Sequence, residues 1–252
     1  MNTLIIDTST NTDYLGIATG KGLFWDSVIE SETHSATIFK NMDELLSKAN
    51  LNIKEINFII AGIGPGSFTG IRICVSTARM LAQILNIPIV GVFTHDMIAA
   101  SAELETNSLL LTAFDAKKGR VFGSLHEIKN DGLNRVIVKP GDYEIKDMLN
   151  YIEKNADIYC IGNGSKLYSD TILEHSNNAK ISEKLFFKSQ KITQLVNFDA
   201  SKSSNYTTIL PYYSRKSDAE IAKEAKWLYL GTDDGGGGAN FWSLIDFIKL
   251  VL

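Results

Sequence analysis

Cysteine, basic charge and long apolar runs are all scarce in this chain, and each shortage removes a class of protein. Only Cys74 and Cys160 occur in 252 residues, one inside an apolar helical stretch and one at the end of an apolar strand. Two thiols so placed read as core residues rather than a disulfide framework, and a reducing cytoplasm fits them. The formal charge of −4 leaves no surplus of cations to neutralise a phosphate backbone unaided. An RNA role would need a basic partner. No window approaches the roughly 20 apolar residues of a membrane span. The run Met1 to Ile6 reaches Asp7 without a basic region or a long apolar core, so no signal peptide is expected. The histidines, His34, His95, His126 and His175, contain no His-xxx-His pair, and no metal site is expected.

What the chain does have is apolar patterning. At 44% hydrophobic content it can bury one large or two smaller cores. Strands are predicted at Thr3–Ile6, Tyr14–Thr19 and Leu23–Ile29, a β-meander. Ser35 is placed to cap a helix whose apolar stripe is Ile38, Phe39, Met42, Leu45, Leu46 and Ala49. A buried strand at Phe58–Ala61 leads into a second helix, then come a strand at Ile87–Phe93 and a helix around Asp96–Leu104. From Leu109 the layout repeats: an apolar strand to Phe114 ends at Asp115, and Arg120–His126 returns. Two strand-Asp-turn-strand units predict an internal duplication. Later elements are a strand at Ala156–Ile161, the turn Gly162–Ser165, a strand near Ile209–Tyr213 and a helix at Ser217–Tyr229.

Between Phe58–Ala61 and the second helix lies Gly62-Ile63-Gly64-Pro65-Gly66-Ser67-Phe68-Thr69-Gly70. A glycine loop opening a helix can hold an anion, with Gly64, Gly66, Ser67 and Thr69 as candidates. The dinucleotide pattern fails because Ser67 stands where a third glycine is needed, and the Walker pattern fails for lack of a lysine. A tight turn that lets helix and strand pack closely is the competing reading. The helix that follows, Ile71–Leu85, has one narrow polar row, Arg72, Ser76, Arg79 and Gln83. Its remaining surface is apolar, so it is either enclosed by its own subunit or completed by another chain.

Ile5-Ile6-Asp7-Thr8-Ser9-Thr10, His34-Ser35, the string from Gly64 to Arg72, Phe114-Asp115-Ala116-Lys117, and Leu210-Pro211-Tyr212-Tyr213-Ser214-Arg215 with Asp218-Ala219-Glu220 together resemble the TsaB (YeaZ) family. The resemblance runs from Met1 to about Trp227. It implies an α/β, RNase H-like chain of the actin-like ATPase fold shared by sugar kinases, Hsp70 and actin, built from two duplicated subdomains. It also implies a cytoplasmic, non-catalytic subunit for N6-threonylcarbamoylation of adenosine 37 in tRNAs reading ANN codons. Such a subunit binds and activates TsaD, works with TsaE, forms a homodimer when alone, and meets tRNA only through the complex. No cofactor is intrinsic, and any ATP or ADP belongs at the interface with TsaD. Boundaries are expected at 1–105, 106–230 and 231–252, the last a Gly-rich linker and apolar tail.

In that family the first two long helices form the partner contact, which implies an interface of Ile38, Met42, Leu45, Ile71, Cys74, Val75, Ala78 and Leu81. Val75→Glu is then expected to abolish pairing with TsaD and spare the fold. No catalytic residue is assigned. Asp7 and Asp115 stand where actin-like enzymes orient magnesium and water, but each can equally accept hydrogen bonds within its own turn. An autonomous nucleotide-binding kinase or ATPase, with nucleotide between Gly62–Gly70 and Gly162–Ser165, is the alternative.

Overall fold

The computed structural model describes residues 1–30, 34–129, 134–196 and 206–215. The chain divides into Met1–Arg215 and Lys216–Leu252. The helix expected at Ser217–Tyr229 and the tail from Gly231 lie outside the described residues.

Two five-stranded sheets carry the fold. The first consists of β1 (Thr3–Asp7), β2 (Thr12–Ala18), β3 (Phe24–Glu30), β4 (Phe58–Gly62) and β5 (Ile89–Val92), in the order β3-β2-β1-β4-β5. The second consists of β6 (Leu109–Asp115), β7 (Val121–Glu127), β8 (Arg135–Tyr143), β9 (Ile158–Ile161) and β10 (Lys180–Ser182), in the order β10-β9-β6-β7-β8. Read from β8, that order is the first one repeated. The pairing senses repeat too: β1 is antiparallel to β2 and parallel to β4, as β6 is to β7 and β9. The duplicated RNase H-like unit of the actin-like ATPase fold is therefore present twice.

β1 shows why the sheet is central. Thr-Leu-Ile-Ile-Asp is buried at every position, as a near-continuous apolar strand must be when both faces are covered. Leu4 and Ile6 point to one side, where they pack with α1 (His34–Lys48) and α2 (Phe68–Leu85). Ile5 points to the other, into a core shared with Met97 and Ile98 of α3 (Thr94–Ser101) and with Leu110, Phe114 and Phe122 of the second sheet. A third core lies on the far face of the second sheet. There Leu111, Val121 and Leu125 meet α4 (Ile145–Leu149) and α6 (Ser169–His175), the latter following α5 (Asn163–Leu167). α7 (Ser189–Ile192) closes the described helices.

Several local expectations change. Ser35 is a helical residue of α1 and not its cap. Phe39, placed in the apolar stripe, is 48% exposed. The expected strand at Ile209–Tyr213 forms no ladder; it is an extended strap whose Tyr212 amide donates to the Ile63 carbonyl at 2.8 Å. The Gly162–Ser165 turn opens into α5. β8 and β10 were not legible: Pro140-Gly141 reads as a turn, yet proline is tolerated because β8 is an edge strand. β10 has only three residues.

Candidate functional site

The glycines of the loop are spent on the chain's own backbone. A Cβ on Gly66 would run into the Ser9 carbonyl, one on Gly70 into the Thr8 carbonyl, and one on Gly62 into the Asp7 carboxylate. The close approach is pinned by hydrogen bonds: the Ser67 amide donates to Ser9 O at 2.8 Å, and Thr8 Oγ1 donates to Gly70 O at 2.7 Å. Ser67 Oγ caps α2 by accepting from the Gly70 amide at 3.3 Å. Of the anion-loop candidates, Gly64 and Gly66 are buried under the first turn and the strap, and Ser67 and Thr69 are exposed. Gly64 adopts φ +94°, a left-handed conformation that favours glycine. This geometry is that of a tight packing turn.

Asp7 is fully buried. Its Oδ1 accepts the Ser9 amide at 2.7 Å and its Oδ2 the Thr94 hydroxyl at 2.6 Å. Burial pushes its pKa up, while those two hydrogen bonds pull it down. Asp115 makes the same turn in the second sheet, accepting the Lys117 amide at 2.8 Å and Lys117 Nζ at 2.6 Å. Both carboxylates thus accept hydrogen bonds within their own turns, and Asp7 has no open side to offer an ion. Among the described residues, no group of three or more His, Cys, Asp or Glu side chains is placed to hold a metal.

Two polar chains that sequence reasoning missed tie helices to the sheets, the first from α3 to β6 and β7 and the second from α7 to β2 and β3. In the first, Asp96 Oδ1 lies 2.9 Å from His126 Nε2, His126 Nδ1 lies 3.2 Å from Ser124 Oγ, Ser124 Oγ lies 2.8 Å from Thr112 Oγ1, and that hydroxyl lies 2.5 Å from His95 Nδ1. The order acid, imidazole, serine resembles a hydrolase triad. Ser124 is wholly buried, however, so no substrate carbonyl can reach it. His95 is also fully buried, and its Nε2 meets no hydrogen-bond partner of good geometry. Burial, and then the nearby His126 ring, lower its pKa to about 3, with the Pro65 carbonyl opposing them weakly. In the second chain, Ser189 Oγ donates to Asp26 Oδ1 at 2.5 Å, Tyr14 Oη donates to the same oxygen at 2.8 Å, and Phe187 stacks on Tyr14 at 4.5 Å. These residues are dispersed in sequence, so only three-dimensional proximity reveals them.

α2 holds the main correction. Ile71, Cys74, Val75, Ala78 and Leu81, with Ile38, Met42 and Leu45 of α1, are buried in the chain's own core, and of these only Val75 also borders the groove along α2. The sheet, α1 and Ile209 of the strap pack against them. The outward face is made by Arg72, Ile73, Ser76, Arg79, Met80, Gln83 and Ile84. Met80 is 41% and Ile84 71% exposed. The strap runs alongside: Tyr213 stacks on Phe68 at 4.7 Å, its hydroxyl accepts from Arg72 Nε at 2.8 Å, and Tyr212 meets Phe93 edge-on at 4.9 Å. With Pro211 it borders a groove of about 490 Å³ along α2. A larger cleft of about 740 Å³ lies by β2 and β3, with Glu30, Glu183, Lys184 and Lys188 giving it mixed charge. No described helix is long and apolar enough to cross a membrane.

The chain can now be set beside known proteins. The family model described as "TsaD: tRNA N6-adenosine threonylcarbamoyltransferase" matches residues 28–223. The tRNA threonylcarbamoyladenosine biosynthesis protein TsaB of Bacillus subtilis (strain 168) is 29% identical over 246 residues, 90% of this chain and 98% of that one. The protein of the same name from Escherichia coli (strain K12) is 29% identical over 140 residues, 53% of this chain and 58% of that one. The solved structure "YeaZ from Pseudomonas aeruginosa" matches with a TM-score of 0.70 at 21% identity, over 84% of this chain and 99% of that one, a likeness of fold.

Proposed function

We infer that this chain, which belongs to the tRNA N6-adenosine threonylcarbamoyltransferase (TsaD) family in its TsaB (YeaZ) group, serves tRNA threonylcarbamoyladenosine biosynthesis as a non-catalytic subunit. In this reading it binds and activates TsaD through the outward faces of α1 and α2 and works with TsaE in the cytoplasm. It contacts tRNA only through the complex, and the modified base is adenosine 37 of tRNAs reading ANN codons. Any ATP or ADP would lie at the interface with TsaD.

The observation that carries the reading is the exposed apolar face of α2. Ile84 at 71% and Met80 at 41% exposure, with Phe39 of α1 at 48%, are large side chains left in water. Met80 and Ile84 lie one turn apart on the same helix, and contiguous exposed apolar surface of this kind marks an interaction site. The enclosed Asp7 and the glycine loop packed on Thr8 and Ser9 support a scaffold rather than a phosphate-binding role.

The test is capture of TsaD by the purified chain, followed by tRNA modification with TsaC, TsaD and TsaE present. Wild type is expected to retain TsaD and restore modification, and Ile84→Glu to lose both. Full modification without this chain, or undiminished capture by Ile84→Glu, would overturn the assignment.

A further inference from the structure

The polar chain from Asp96 to His95 has a direction, and counting its protons fixes it. Its links run from Asp96 to His126 Nε2, from His126 Nδ1 to Ser124, from Ser124 to Thr112 and from Thr112 to His95 Nδ1, and the Pro65 carbonyl acts on the far side of the His95 ring. An ionised carboxylate only accepts, a neutral imidazole donates from one nitrogen, and a hydroxyl donates once. With both rings neutral, Asp96 therefore takes the Nε2 proton of His126, and His126 Nδ1 takes the Ser124 hydroxyl. Ser124 Oγ in turn takes the Thr112 hydroxyl, and Thr112 Oγ1 takes the Nδ1 proton of His95. His95 Nε2 is left as a bare lone pair. It is this atom that lies buried without a hydrogen-bond partner, and the backbone group acting on its ring, the Pro65 carbonyl, is another acceptor.

One added proton satisfies the chain from end to end. As an imidazolium, His126 donates from both nitrogens, to Asp96 and to Ser124. Ser124 then donates to Thr112 and Thr112 to His95 Nδ1, so His95 carries its single proton on Nε2, where the Pro65 carbonyl accepts it. The charge stays beside the Asp96 carboxylate, which is 29% exposed, while the hydrogen bond that is gained forms at the buried end. His95 itself stays neutral, as its burial demands. The added proton comes from water, and the others only change the atom within the chain that holds them. We propose that this chain is a pH-sensitive switch: proton uptake at His126 reverses the hydroxyls between α3, β6 and β7, moves the His95 proton from Nδ1 to Nε2, and fastens the glycine loop ahead of α2 through Pro65. The neighbouring ionisable groups are already engaged. Glu127, next to His126 on β7, pairs with Lys129 and with Arg135 of β8. Asp7 is held by Thr94 and Ser9, and Lys188 and Lys191 at α7 act on Glu103. Among the described residues, the charge acting on His95 is that of the His126 ring.

The decisive experiment is an NMR titration of the full chain, with 15N in its histidine rings and 13C in its proline carbonyls, from about pH 8 to about pH 5, the range in which imidazoles charge. Circular dichroism at each pH verifies folding. Ring nitrogens with and without a proton resonate far apart, so each tautomer is read directly. At the alkaline end His95 is expected as Nδ1–H and His126 as Nε2–H. At the acid end His126 should show both nitrogens protonated and His95 should have exchanged to Nε2–H, with the Pro65 carbonyl signal moving at the same midpoint. Thr112→Val should leave His126 titrating while His95 no longer follows, and Thr112→Ser, which keeps the hydroxyl, should restore the coupling. The switch is refuted by a His95 that holds one tautomer throughout, by a His126 that stays neutral while the protein remains folded, or by a Thr112→Val chain that follows wild type. Should Thr112→Val fail to fold, the wild-type titration decides alone.

Discussion

Replacing Val75 and Ile84, nine residues apart on one helix, by the same acid should give opposite results. Val75 is 2% exposed in the core beneath α2, whereas Ile84 is 71% exposed. Val75→Glu forfeits about 1.5–3 kcal/mol of apolar burial. It also brings a carboxylate to a position 2% exposed, where Arg72 and Arg79, lining the same groove, compensate only in part, at a further cost of about 2–4 kcal/mol or an upward pKa shift that keeps it protonated. Together these come to about 3.5–7 kcal/mol, comparable with the whole stability of a domain at about 5–15 kcal/mol. Ile84→Glu replaces a side chain already in water and should stay within about 0.5 kcal/mol of wild type. Urea unfolding followed by far-ultraviolet circular dichroism, run beside TsaD capture, separates the two. Val75→Glu is expected to be unfolded or barely soluble, and Ile84→Glu to fold normally and lose TsaD. A Val75→Glu protein with a wild-type midpoint that no longer binds TsaD would refute the inward packing of α2.

Two further outcomes follow from the buried polar groups and the glycine loop. In Gly70→Ala, overpacking against the Thr8 carbonyl costs about 1–3 kcal/mol, against at most about 1 kcal/mol of helix propensity gained, so the melting temperature should fall; a rise would remove the packing argument. His95, lowered to about 3 from an ordinary value near 6.5, refuses a proton that the unfolded chain accepts. Stability is then complete above pH 6.5 and declines as pH drops, by at most about 1.4 kcal/mol per unit. Asp7, whose pKa is raised, works in the opposite direction at the acid end. Urea midpoints at pH 7, 6 and 5 should decrease for wild type and less so for His95→Gln. Equal midpoints for wild type would contradict a neutral buried His95.

Strong periodicity made the first sheet and α2 readable. The helix predicted at Ile71–Leu85 forms as Phe68–Leu85 and carries its own punctuation, a capping serine before and a left-handed Asn86 after. The repeated strand-Asp-turn-strand units gave the duplication, because Asp7 and Asp115 close equivalent turns. Which side of α2 faces inward was not readable. Apolar residues cover most of its circumference, and the side that is buried depends on Ile209 and Pro211, far away in sequence. The chain from Asp96 to His95 was hidden for the same reason: its members are ordinary polar residues until α3 packs on β6 and β7. β8 was lost to its own Pro140-Gly141, since a turn and a bulged edge strand share that composition.

The strap reverses the usual order of completion. Ile209 belongs to the same core as Leu4, Ile6 and Ala78, so the first sheet, whose strands end at Val92, is sealed by a residue translated long after them. Until then the nascent first half holds α2 without its lid, and a polypeptide stopped short of Tyr206 lacks both the plug and the aromatic clasp on Arg72. Closure of the first core therefore waits on a segment translated well after the strands it covers.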